Sequence, residues 1–400
     1  MEGRLRTLSD AESSGLHCRC RRHFTQCSSA ELPGGAVRQY CQRHLNNDIR
    51  NSRMPYSPAL DGLRAIAILL VVLFHGGMPG LPGANVGVDV FFILSGYLIT
   101  RILLAEHQTA GSLDLRRFYH QRLLRLTPPL LLLLLLYAIF APLLWPEYYF
   151  HLRDWVVVLI YQADVALVLG MGPSKMIHAW SLGIEERFYL LWPVALLGLL
   201  ILKNLRVAAT VLLTSVLLAG LWRMAALQLW GVSSGEAYYR FDMRITGLLL
   251  GSCLGIWIGS GLPVPAQLLR RYWLIVAWLI LLAVVLYPTD DKGRLSFGLP
   301  LVEMTALYIL LWLHCRPQGL LSKTLACRPL VYIGQLSYGL YLFHYPVMDY
   351  LKLQQPWWLV LLAGASIAFV FAVFSHHLIE QPIRHWRRKP APEKMLDTKF

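Results

Sequence analysis

From Pro58 to His377 the chain is a succession of apolar runs, each long enough to cross a hydrocarbon layer of roughly 30 Å as an α-helix. Ten runs fall near 58–78, 84–105, 127–145, 179–202, 205–229, 241–260, 270–288, 296–314, 329–351 and 357–380. None alternates apolar and polar positions at period two, which argues against a β-barrel. An eleventh run, 153–170, holds Asp164, a costly residue at membrane depth. Charge between the runs arbitrates. With the N-terminus inside, the first connection is uncharged and the second carries Arg101, Arg116, Arg117, Arg122 and Arg125. If 153–170 is re-entrant or interfacial, then Lys203, Arg206, Arg270, Arg271, Arg316, Lys323, Arg328 and Arg384 also fall inside, as the positive-inside rule expects. The predicted fold is all-α: a polytopic bundle of about ten spans plus one re-entrant or interfacial segment, both termini cytoplasmic.

Composition supports this. Of 400 residues 56% are hydrophobic, and the mean hydropathy is +0.48. The net charge of +14 suggests nucleic acid in a soluble protein, but here the basic residues sit between apolar runs and no nucleic-acid motif accompanies them. Membrane lipid is the expected partner and nucleic acid is not. Residues 1–53 lack an apolar run and read as a disordered N-terminal extension, with Met54 a credible start of translation. Cys18, Cys20, Cys27 and Cys41, with His23 and His44, match no zinc-ligand spacing, so no metal is expected. The remaining expected divisions are a transmembrane domain over 54–385 and a basic cytoplasmic tail over 386–400.

Several ionisable groups interrupt the apolar runs, and such groups normally face protein or water. In the first run Arg64 and His75 are eleven residues apart. Eleven helical steps come within about 20° of three turns, so both lie on one face, roughly 16 Å apart along the axis. The second run opens with Asp89, followed by Ser95 and Gly96; glycine there suits close approach by a helix or by a ligand. In the fourth, His178 and Glu185 share a face, and Glu185 is expected near the depth of His75, where a carboxylate would orient the imidazole and raise its basicity. His344 marks the ninth, and Arg223, Asp242, Arg244 and Glu303 lie at depth elsewhere. Together they imply a polar chamber. Between the second and third runs, Ser112 is the expected N-cap of an arginine-rich stretch that meets lipid headgroups or a phosphorylated ligand, and Pro128 and Pro129 then open the third span.

Five segments together are more specific than any one. They are Arg64 with His75; FFILSG at 91–96; RFYHQRLLRLTP at 117–128; WSLGIEERFY at 180–189; and LSYGLYLFHYP at 336–346. In this order they resemble the acyltransferase-3 family of integral membrane O-acyltransferases, which modify O-antigens, exopolysaccharides, nodulation factors and macrolides. The resemblance runs from about residue 55 to 385. It implies a bacterial inner-membrane enzyme that moves an acyl group, acetyl in the expected case, from acyl-CoA to a hydroxyl of a cell-envelope carbohydrate or a small secondary metabolite. His75, Glu185 and Arg64 are then the expected catalytic residues. Arg122, Arg125, Arg117 and Tyr119 are the expected acyl-CoA contacts. Asp89, Ser95, Gly96, His178, Trp180, Ser181, Tyr189 and His344 are expected to line the chamber.

Two mechanisms stay open at this stage: His75 deprotonates the acceptor hydroxyl, or carries the acyl group itself. Many members of the family carry a fused SGNH-hydrolase domain after the bundle, which this sequence does not show, so a separate soluble transferase partner is conceivable. The rival class is a transporter or acyl-group carrier without transfer chemistry, since polar residues at depth suit a permeation path as well. No repeated halves support it.

Overall fold

The computed structural model describes residues 56–287 and 290–388, without the side chains of 386–388. The expected extension at 1–53, the early Cys and His cluster and the tail beyond 388 lie outside the described residues. The described residues are all helical or connecting. In chain order the α-helices of six or more residues are α1 (Pro58–His75), α2 (Gly87–Ala110), α3 (Leu115–Leu144), α4 (His151–Leu159), α5 (Ala163–Val168), α6 (Trp180–Ile201), α7 (Leu205–Gln228), α8 (Ser234–Tyr239), α9 (Phe241–Gly259), α10 (Arg271–Leu286), α11 (Leu299–Cys315), α12 (Leu320–Leu325), α13 (Arg328–Lys352), α14 (Trp357–Ser375) and α15 (Gln381–Arg388). π-helical turns precede α11 and join α14 to α15.

Seven of these stretches are long and apolar enough to cross a membrane. They contain α1, α2, α3, α7, α9, α11 and α14. Three further runs counted in the sequence fall short of that test for different reasons. Helix α10 has only 16 residues. Helix α6 carries Glu185, Glu186 and Arg187 together, and α13 carries five Tyr along with Gln335, His344 and Asp349. The run at 153–170 is broken: α4 has 9 residues and α5 has 6, with Tyr161 in the left-handed region between them. At about 1.5 Å per residue neither reaches across a bilayer core.

The centre of the bundle is α2 against α9. Their spanning windows are 72% and 67% buried, against 17% for α7, which turns most of its surface outward. Close approach depends on glycine. A Cβ on Gly96 would run into the Leu248 carbonyl of α9, and one on Gly251 into the Ile93 carbonyl of α2. Gly96 is therefore a packing residue against α9 and not part of a chamber wall. Backbone cannot yield as a side-chain end can, so Gly96→Ala should cost about 1–3 kcal/mol or more. The expected result is a lower thermal midpoint in detergent, whereas Gly198→Ala, with open space around it, leaves the midpoint unchanged. Equal midpoints for the two variants would show that α2 and α9 are not so tightly apposed.

Helix α3 departs from expectation at two points. Its N-cap is Asp114, whose carboxylate accepts from Arg117 N at 2.9 Å, and not Ser112. Pro128 and Pro129 do not begin a new helix but lie inside one of 30 residues. That helix is about 45 Å long, some 15 Å longer than a hydrocarbon core. Arg116, Arg117, Arg122 and Arg125 therefore belong to the first turns of the same continuous helix as the apolar run and not to a separate connecting segment.

Candidate active site

Helix α1 starts with Pro58 in its first turn, where the missing N–H costs nothing, and continues unbroken to His75. Arg64 and His75 thus keep the common face that their spacing predicts. Each belongs to a separate polar group.

Around Arg64 lies a cavity of about 380 Å³, lined by Arg122 and Arg125 of α3, Gln335 and Tyr338 of α13, Glu380 at the end of the π-helical turn after α14, and Arg384 of α15. Arg64 Nη1 is 4.0 Å from Asp61, and the charges of Arg125 and Glu185 also act on it. The Arg122 guanidinium lies 4.5 Å above the centre of the Tyr189 ring. From there a hydrogen-bonded line runs inward: Tyr189 OH donates to Ser95 Oγ at 3.0 Å, and Ser95 donates to Glu185 Oε1 at 2.7 Å. Tyr338 OH donates to the Leu126 carbonyl beside the two prolines, tying α13 to α3.

Toward the other end of α1, three imidazoles gather. His344 Nε2 is 3.1 Å from His75 Nδ1, and His75 Nδ1 is also 3.0 Å from the Val71 carbonyl. His178 donates from Nε2 to the Leu342 carbonyl at 3.1 Å and stacks on Tyr345 at 5.0 Å. Tyr341 OH donates to the His178 carbonyl at 2.6 Å, so Ser181 Oγ, 2.6 Å from the Tyr341 hydroxyl oxygen, is the donor in that second pair. The three imidazoles do not converge on a point that could hold a metal ion, and no metal-binding cluster occurs among the described residues.

The expected pairing of Glu185 with His75 does not form. His75 is bonded to His344, while Glu185 is bonded to Ser95 and lies among Arg122, Arg64 and Arg125. The reason is axial. His178, in the turn Ile177–Ala179 ahead of α6, reaches the level of the histidines. Glu185 is seven residues further on, about 10 Å deeper.

Other expected residues lie elsewhere. Arg117 is exposed, and Tyr119 donates to the Leu190 carbonyl at 2.8 Å; neither lines the cavity. Asp89 is paired with Arg244 at 2.6 Å, and Trp180 lies under the same guanidinium at 5.2 Å. Arg223 donates to Thr246 at 2.9 Å, and Thr246 donates to Glu303, which extends the buried polar network across α7, α9 and α11. Paired in this way, these charges lock helices together, and breaking one such pair leaves its partner buried and uncompensated.

Residues that sequence reasoning did not select include Tyr341 and Tyr345, three before and one after His344, and Glu380 and Arg384. Glu380 closes the last apolar run and Arg384 follows it at i+4, the one sequence sign that the two share a face.

Residues 57–377 match the family model described as an acyltransferase domain, so the chain belongs to the acyltransferase-3 family. Curated relatives include the peptidoglycan O-acetyltransferase OatA of Listeria monocytogenes, 33% identical over 82% of this chain, and the putative peptidoglycan O-acetyltransferase YrhL of Bacillus subtilis, at the same identity and coverage. The O-acetyltransferase OatA of Staphylococcus aureus is 31% identical over the same share. The chain spans 56%, 55% and 57% of the lengths of these three relatives respectively, about half in each case. No solved structure matches.

Proposed function

We propose that the chain is a ten-span inner-membrane O-acetyltransferase, with both termini cytoplasmic, that takes an acetyl group from acetyl-CoA and gives it to a hydroxyl of a cell-envelope carbohydrate. One observation carries the reading: a single helix face presents an arginine-lined cavity at one end and a hydrogen-bonded histidine at the other, about 16 Å away. Arg64, Arg122, Arg125 and Arg384 suit the phosphates of CoA, because guanidinium forks match phosphate oxygens. The pantetheine arm runs along α1 past Ser95 and Glu185 and delivers the thioester to His75. A hydroxyl is too weak an acid to attack unaided, so His75 serves as its base. As the oxygen bonds to the acetyl carbon, His75 takes the hydroxyl proton. The C–S bond then breaks, and His75 returns that proton to the departing CoA thiolate.

The carbohydrate acceptor rests on the relatives' names, and a small-molecule acceptor is the other case to assay. Purified protein supplied with radiolabelled acetyl-CoA and soluble peptidoglycan fragments should release CoA thiol and place label on the carbohydrate in equal amounts. Thiol release without labelled carbohydrate would point to transfer elsewhere. Binding or translocation without thiol release would make the protein a carrier.

A further inference from the structure

His344 is a helix-buried residue whose two ring nitrogens are both engaged. Its Nδ1 lies 2.8 Å from the Tyr341 carbonyl and 3.1 Å from the Leu340 carbonyl. Carbonyl oxygens only accept, so this nitrogen carries the proton, and in the neutral ring Nε2 is left as an acceptor. That acceptor faces His75 Nδ1 at 3.1 Å. A bare Nδ1 on His75 would meet two lone pairs, those of His344 Nε2 and the Val71 carbonyl. With a proton there, both contacts become favourable. The neutral His75 ring then has its lone pair on Nε2, a nitrogen that makes no hydrogen bond among the described residues.

The groups packed around the pair do not offer an alternative partner. His178 spends its Nε2–H on the Leu342 carbonyl, Tyr341 spends its proton on the His178 carbonyl, and Tyr345 meets both His75 and His178 ring to ring. The charged side chain that acts on both His75 and His344 is Lys352, which cannot accept a hydrogen bond.

We infer that His344 is a positioning residue for acyl transfer: it holds the proton of His75 on Nδ1 and so makes Nε2 the nitrogen that removes the acceptor's proton. The inference rests on the function proposed above and names the orienting partner of its base. When Nε2 takes the hydroxyl proton, the resulting imidazolium keeps its Nδ1–H on the His344 lone pair, and the proton passes from Nε2 to the CoA sulfur as the C–S bond breaks. A neutral imidazole here fills the orienting role that a carboxylate fills in other histidine-based sites.

Nitrogen NMR of protein labelled with ¹⁵N-histidine, in lipid nanodiscs, reads the tautomer without any substrate. The His75 signals, identified by their loss in His75→Asn, should show a protonated Nδ1 and a bare Nε2. In His344→Ala the two tautomers should mix. Turnover tests the role. His344→Ala and His344→Asn should lower kcat by about 10²-fold with little change in KM for acetyl-CoA. His344→Gln should recover much of it, because its amide oxygen reaches the Nε2 position and accepts from His75. Asparagine reproduces the donor to the Leu340 and Tyr341 carbonyls but offers His75 no acceptor, so a purely structural role predicts rescue by Asn and not by Gln. That pattern, or a protonated Nε2 on His75 in the wild type, overturns the inference. Absence of acetyl transfer in the wild type with the expected tautomer intact would instead overturn the proposed function.

Discussion

Replacing His75 by alanine is expected to remove acetyl transfer from a protein that still folds and inserts. A positioned general base contributes about 10²–10⁴-fold to rate, so kcat should fall by at least that range while acetyl-CoA still binds at the arginine-lined end. Misfolding is a poor alternative explanation. An alanine at membrane depth is easier to insert than a histidine. The substitution does leave His344 Nε2 without its donor, a cost of about 1–3 kcal/mol if no water replaces it. A thermal midpoint on the same preparation registers that cost separately from the loss of rate. The measurement is thiol release and carbohydrate labelling by equal amounts of wild type and variant. Near wild-type turnover in His75→Ala would move the base elsewhere. His178 would then be the next residue to test, because its Nδ1 is buried in the same cluster with no hydrogen-bond partner among the described residues.

The helical part of this site was legible in the sequence because it depends on a single element. Arg64 and His75 share a face since α1 is unbroken between them, and their spacing on an 18-residue helix admits little else. Arg122 and Arg125 came instead from the family resemblance, which grouped them with Arg117 and Tyr119; of the four, Arg122 and Arg125 line the cavity. Partners across helices depend on axial offsets that no single-helix period contains. The 3₁₀ turn Ile177–Ala179 sets how far α6 has descended before Glu185, and so decides that Glu185 meets Ser95 and the arginines while His178 meets the histidines. Glu380 and Arg384 were missed for a related reason. The π-helical turn His376–Glu380 shifts the register of everything after it, and a 3.6-residue period misplaces the faces beyond. Gly96 shows a third limit. Its sequence signal was equally that of a ligand-facing or a helix-facing glycine, and only the Leu248 carbonyl of α9 decides between them.

At the arginine-lined end, loss of charge should act on binding before chemistry. A hydrogen bond to a charged group is worth about 1.5–3 kcal/mol, which corresponds to a rise of about tenfold to a hundredfold in KM for acetyl-CoA per guanidinium removed. Arg122→Gln and Arg64→Ala are each expected to show it, with kcat reduced much less than in His75→Ala. Arg64→Lys should do intermediate damage, since the charge survives and the planar fork does not. The arginines also have structural neighbours, Tyr189 for Arg122 and Asp61 for Arg64, so a simple loss of activity is ambiguous. Acetyl-pantetheine resolves this, because it presents the same thioester without the phosphates. Wild type should use it poorly, and the arginine variants should use it no worse than wild type does. The defects of enzyme and substrate are then non-additive, as they must be when each removes one side of the same contact. If the variants instead lose acetyl-CoA and acetyl-pantetheine activity by equal factors, the arginines hold the bundle together and the phosphates of CoA bind elsewhere.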